Sequence, residues 1–168
     1  MGITTDLFRQ SMALFPGAVT LITTGQGDGR RGITATAVCS VSDSPPSLLA
    51  CVNRKTETCD TISRTGRFSV QLLDDTSDEI AMAFAGARKL EGAAKFGVGR
   101  WACTAFGQPR LLTALACLSC RVLTESDSGS HRIFVGEIED AVLADGDALV
   151  YVRSRFHRLQ ATGLAAKA

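Results

Sequence analysis

The chain has 168 residues and a net charge of +1, from 18 Lys and Arg against 17 Asp and Glu, with six cysteines. So even a balance argues against a nucleic-acid surface, which needs clustered basic excess, and no run approaches the ~18 consecutive apolar residues of a membrane span. The opening residues, MGITTDLFRQS, lack the basic and apolar regions of a secretory signal. A cytoplasmic setting is therefore expected, with residues 1–168 as one domain around its own core.

Thr5 to Phe15 is expected as an amphipathic helix with Phe8, Met12 and Phe15 on one stripe, stopped by Pro16-Gly17. Val19 to Thr24 reads as a β-branched strand. Gly25-Gln-Gly27-Asp-Gly29 resembles part of a dinucleotide loop, but that loop must lead into a helix. Here a strand follows from Arg31, so a hairpin with an Asp28-Gly29 tip is expected instead.

From Gly32 to Ser42 a single strand would place Ile33, Ala35, Ala37, Cys39 and Val41 on one face. Thr34, Thr36, Ser40 and Ser42 would share the other with Val38. Such a hydroxyl row is either an ordinary solvated sheet surface or a seat for a flat ligand rich in donors and acceptors. Pro45-Pro46 breaks the strand, and Leu48 to Val52 returns as an apolar run suited to burial on both faces.

Thr56 to Arg64 is expected as a helix ending at Gly66, with Arg67 to Leu73 a strand. At that helix start Thr56 is either an N-cap or, with Arg54, part of an anion site built on exposed backbone N–H groups. Thr76-Ser-Asp-Glu79 has capping-box spacing for a helix through Phe84. Strands are expected at Ala116–Leu123, Arg132–Val142 and Ala148–Val152, with turns at Gly129 and Asp145-Gly146.

Cys117 and Cys120 have half the spacing of a zinc site, but a strand there sends them to opposite faces, as small buried hydrophobes. His131 is by itself a solvated turn residue or a site group. Tyr151 to Arg158 is either a charged edge strand or a basic, aromatic binding run. Many uneven strands with two or three short helices point to a closed antiparallel barrel with helical additions.

Several motifs in order then resemble one family. They are FPGAVTLITT (15–24), GITATAVCSVS (32–42), Pro45-Pro46, Cys51-Val-Asn53, Phe84-Ala-Gly86, Lys95-Phe96 before Trp101, and Gly129-Ser-His131. Across nearly its whole length the chain resembles the flavin reductase-like proteins of the FMN-binding split-barrel superfamily. Within them it is most similar to the reductase components of two-component flavin-dependent monooxygenases.

The resemblance implies an all-β/α+β fold, a six-stranded antiparallel split β-barrel of Greek-key topology with short flanking helices, paired as a homodimer. It implies that Thr34, Ala35, Thr36, Ser40, Val41 and Ser42 seat the isoalloxazine and ribityl phosphate of FMN or FAD. Cys51, Asn53 and Thr56 would continue that seat toward the phosphate, and His131 would lie where nicotinamide stacks. The expected reaction is hydride transfer from NADH or NADPH to flavin, with reduced flavin passing to a separate oxygenase. Pro16 and Gly17 would leave room for nicotinamide, and Arg155 or Phe156 would orient the dinucleotide. The alternatives are a flavin-binding sensor or carrier without turnover, or the same barrel around another ligand.

Three positions depart from the family pattern. Ser130 stands where an acid precedes the histidine, Thr56 where Ser is usual, and Lys95 where Arg precedes Phe.

Overall fold

The computed structural model describes residues 2–160; Met1 and residues 161–168, which the expected single domain includes, lie outside the described residues. Helix α1 (Thr5–Met12) is capped by Thr4, whose Oγ1 accepts from the Leu7 N–H at 3.2 Å. It stops short of the expected Phe15, and none of its residues is buried. Phe8 and Phe15 are 53% and 67% exposed, so the apolar stripe does not pack on this chain's own core.

Strand β1 (Gly17–Ala18) leads to β2 (Thr20–Thr24), and a 3-10 turn at Gly27–Gly29 brings β3 (Arg31–Ala35) back antiparallel, as the Asp28-Gly29 tip predicts. The expected single strand from Gly32 to Ser42 is broken. After β3 the chain bends at Thr36-Ala37 and resumes as β4 (Val38–Asp43). The cause is a change of neighbour: β3 pairs with β2, whereas β4 pairs with β5 (Pro46–Asn53), and the Cys51 N–H already bonds to the Ala37 carbonyl at 3.0 Å.

Helix α2 (Glu57–Thr65) ends at Gly66, whose φ of +66° suits a residue without Cβ. Strand β6 (Arg67–Leu72) follows, then α3 (Asp78–Phe84). The expected capping box does not form. Ser77 takes the N-cap position, and its hydroxyl donates to the Asp74 carboxylate instead of the helix. A hairpin that the sequence did not announce, β7 (Trp101–Cys103) and β8 (Pro109–Leu111), precedes β9 (Ala116–Ser128) and β10 (His131–Leu143). The chain closes with β11 (Leu149–Val152) and β12 (Arg155–Arg158), which join β1 in a small sheet of order β1-β11-β12.

The main sheet has the order β3-β2-β6-β9-β10-β5-β4, antiparallel throughout. The run β6-β9-β10 with β5 returning beside β10 is a Greek key. The two edge strands, β3 and β4, are consecutive in the chain, so the bend at Thr36-Ala37 closes the barrel where hydrogen bonds do not. That bend also makes seven strands of the expected six.

Ile22, Ala50, Val52, Ile62, Phe68 and Phe134 fill the interior. Leu21, Leu73, Phe84, Phe96 and Leu111 form a second core outside the sheet, under α3 and the β7–β8 hairpin. Strand β2 is buried along its whole length because it faces both cores. A buried polar cluster fixes the hairpin. Gln71 donates from Nε2 to the Pro109 carbonyl at 3.0 Å and accepts from the Leu111 N–H at 2.5 Å, while Thr23 Oγ1 donates to the same carbonyl. Cys117 and Cys120 point to opposite sides of β9 and are both buried. Burial pushes their thiols up to about 11 and about 12.

Candidate functional site

The β5–α2 turn is built from its own side chains. Asn53 Oδ1 accepts from the Lys55 N–H at 2.9 Å, and Thr56 Oγ1 donates to the Asn53 carbonyl at 2.7 Å. Thr56 also caps α2, accepting from the Cys59 N–H at 3.3 Å. The N-cap reading of Thr56 is what the structure shows, and this cap lines a cavity of about 400 Å3 together with Arg31, Gly32, Gly92 and Lys95.

Lys95 is a half-buried cation at this cavity. Its Nζ donates to the Gly32 carbonyl at 3.2 Å and to the Phe84 carbonyl at 3.3 Å. An ammonium has three protons, so one remains for a ligand. Burial lowers its pKa against the opposing pull of Glu57 and Glu91. Arg31 is bound to Glu57 across the cavity mouth. Arg31, Glu57, Glu91 and Gly92 were not foreseen as site residues; their sequence neighbourhoods offer only a glycine and mixed charge.

The ladder brings the second turn to the first. His131 opens β10 directly opposite Asn53, and the Arg54 N–H donates to the Ser130 carbonyl at 3.0 Å. The His131 ring is exposed, with Nδ1 2.9 Å from Ser130 Oγ. The Arg54 side chain turns to this hairpin and reaches the Asp127 carboxylate at 3.0 Å. It does not supplement Thr56 at the cavity.

The hydroxyl row is divided. Thr34 Oγ1 donates to the Ala81 carbonyl at 2.6 Å, binding β3 to α3. Ala35 ends β3, and its carbonyl accepts from Thr20 Oγ1 at 2.7 Å. Thr36 stands at the bend, where a Cβ on Gly17 would come within 2.8 Å of its own Cβ. Ser40 and Val41 are exposed on β4, and a register shift between Ser40 and Ser42 ends the strict alternation. Ser42 Oγ closes its own turn, accepting from the Ser44 N–H at 3.0 Å. Cys51 is half-buried; burial first, then Cys39, raises its thiol pKa.

Pro16 precedes β1, in which Gly17 pairs with Tyr151. Arg155 and Phe156 lie on β12, with the Phe156 ring 5.3 Å from that of Tyr151. Neither Arg155 nor Phe156 lines the Lys95 cavity. The structure thus pairs His131 with Asn53 on the ladder, sets Thr56 at the Lys95 cavity three residues further on, and holds Arg155 and Phe156 apart on the small sheet.

Known proteins are similar to this chain in sequence and in fold. Residues 12–160 match the family described as flavin reductase like domain. The 4-hydroxyphenylacetate 3-monooxygenase reductase component of Pseudomonas aeruginosa is 42% identical over 160 residues, 95% of this chain and 94% of that one. The FMN reductase (NADH) RutF of Pseudomonas syringae is 39% identical over 153 residues, covering 90% and 85% of the two chains. Among solved structures, the flavin reductase PheA2 superposes with a TM-score of 0.85 at 30% identity, over 95% of this chain and all 100% of its own. The NADH:FAD oxidoreductase SgcE6 of Streptomyces globisporus, in complex with NAD and FAD fragments, gives 0.86 at 28% identity over 94% of each chain. With the split barrel and the ordered motifs in place along nearly all of its length, the chain belongs to the flavin reductase-like family.

Proposed function

We propose that the protein is an NAD(P)H:flavin oxidoreductase that passes reduced FMN or FAD to a separate monooxygenase. The observation that carries this reading is that the Asn53–Thr56 turn, whose Thr56 lines a cavity holding a partly desolvated lysine, is paired through Asn53 with the Ser130–His131 turn. A phosphorylated flavin suits that cavity: the capped N-terminus of α2 and the free proton of Lys95 both favour an anion.

A bound flavin would supply the redox chemistry as the acceptor of a hydride from the nicotinamide. The protein's own work is alignment. Thr56 and Lys95 hold the phosphate end, Ser40 and the bend at Thr36 bear on the ring end, and His131 borders the nicotinamide. No side-chain acid or base is needed for the hydride itself, so rate comes from holding the two rings close and in register. Backbone N–H groups along the β3–β4 bend would hold the flavin edge and favour negative charge there.

The chain works as a cytoplasmic homodimer; the unburied apolar stripe of α1 supports a covering partner copy. Its test is a solution mass at micromolar concentration, for which a dimer is expected and a monomer counts against the pairing. The function itself is tested by NADH and NADPH oxidation with and without FMN, FAD and riboflavin. Flavin-dependent turnover is expected. Flavin binding without turnover would make the chain a carrier instead.

A further inference from the structure

Beyond the ladder, which ends at the His131–Asn53 pair, one residue ties the tip of the hairpin to the β5–α2 turn. Arg54 bonds three times across the gap: from its backbone N–H to the Ser130 carbonyl at 3.0 Å, from Nη1 to the Gly129 carbonyl at 3.3 Å, and from Nη2 to the Asp127 carboxylate at 3.0 Å. Asp127 is gripped from its other side by Arg132, through Nε at 2.6 Å and Nη2 at 3.2 Å. Arg132 also reaches Ser63 of α2 at 2.9 Å. The β5–α2 turn and β10 therefore converge on the carboxylate at the root of the hairpin, and α2 is tied in through Arg132.

We propose that Arg54, acting with Asp127, is a positioning residue that sets the Ser130–His131 turn at a fixed offset from the Asn53–Thr56 turn. The inference rests on the reading of His131 as the nicotinamide neighbour. Both ladders that hold β10 stop at this point, with His131 paired to Asn53 on one side and to Ser128 on the other. Beyond them the tip is Gly129, at φ +56° and without a side chain to pack. What places the tip is thus the set of bonds from Arg54. Its ion pair is half-exposed on both members, at 46% and 37%. Such a pair adds little to global stability. It can nevertheless fix a geometry on which hydride transfer depends steeply.

The experiment uses the full chain with saturating FMN and varied NADH. Arg54→Gln and Asp127→Asn are each made alone and combined with His131→Ala. Each single variant is expected to lose about tenfold in kcat/KM for NADH, with FMN affinity within about twofold of wild type and an unchanged melting temperature. Arg54→Lys, which keeps one charged contact, recovers part of the loss. In the His131→Ala background neither substitution adds a further loss. The proposal is overturned if both singles are wild-type while His131→Ala is impaired, or if the losses multiply. Wild-type kinetics in His131→Ala would instead remove the reading of His131, and the positioning role with it.

Discussion

The Thr34 hydroxyl donates its only proton to the Ala81 carbonyl, at 2.6 Å, so the first hydroxyl of the β3–β4 row serves the fold before it serves a ligand. Ser40, on the exposed β4 edge, has no such partner among the described residues. The two should therefore respond differently to deletion. Thr34→Val is expected to lower stability by about 0.5–1.5 kcal/mol, the usual value of one hydrogen bond, visible as an earlier urea midpoint. Ser40→Ala should leave that midpoint in place and weaken flavin binding by a few-fold. Equal flavin affinity in both variants and wild type would move the ring seat away from this strand pair.

His131 separates nicotinamide contact from flavin contact. Its ring is exposed and directly opposite Asn53. His131→Ala should keep flavin affinity nearly intact while kcat/KM for NADH falls roughly tenfold. A rise in KM at constant kcat would mean lost binding alone, and a fall in kcat lost alignment. Steady-state kinetics at saturating flavin decide between them, and unaltered constants would return His131 to the solvent.

Lys95 offers a test that discriminates between flavins. Two of its protons are committed to the Gly32 and Phe84 carbonyls, leaving one for a phosphate. Lys95→Met is expected to weaken FMN about tenfold or more, as a charge-assisted hydrogen bond is lost. Riboflavin, which has no phosphate, should be affected far less. Fluorescence titration of the two flavins checks this, and an equal loss for both would assign Lys95 to the fold alone.

Burial holds Cys117 and Cys120 protonated to about pH 11 and about pH 12, above the ordinary value of 9.0. In the unfolded chain both ionise near 9.0, so the folded state binds the extra protons at higher pH. The stability tied to these thiols is therefore full below about pH 9 and declines as pH rises toward their folded values. Each should contribute a slope of roughly 1 kcal/mol per pH unit in that window. Urea unfolding under reducing conditions, from about pH 8 to about pH 10.5, should show the decline, and Cys117→Ala with Cys120→Ala should flatten it. An equally steep decline in the double variant would place its origin in other groups.

Local signals were legible where one physical cause acts alone. Gly66 ends α2 because the chain there needs a positive φ, and the Asp28-Gly29 tip turns because no helix follows it. The break at Thr36-Ala37 was hidden, since side-chain alternation runs straight through it and only the distant partners β2 and β5 force the bend. Thr76 misled through competition: the Asp74 carboxylate took the hydroxyl that capping-box spacing assigns to the helix, and that of Ser77 at the actual N-cap as well. Within the site, Asn53, Thr56 and His131 were named from motifs, and the ladder joined them. Arg31, Glu57 and Gly92 escaped because a cavity wall drawn from three separate segments leaves no spacing to read. The β7–β8 hairpin escaped likewise, since its anchor is Gln71, a buried polar side chain on a different strand.

The seam between β3 and β4 also dictates an order of assembly. Both strands sit in local hairpins, β2–β3 and β4–β5, and β9–β10 makes a third. Each can form from neighbouring sequence, but none encloses the interior. The circle is completed only when the β9–β10 hairpin docks between β6 and β5, through the pairings β6–β9 and β5–β10. Those contacts join residues far apart in the chain, such as Asn53 and His131, so their loop entropy must be overcome before the core gains anything. The ladder on which both candidate turns meet is thus created by long-range pairing and not by the local hairpins, and a chain caught before it would have its hairpins but no site.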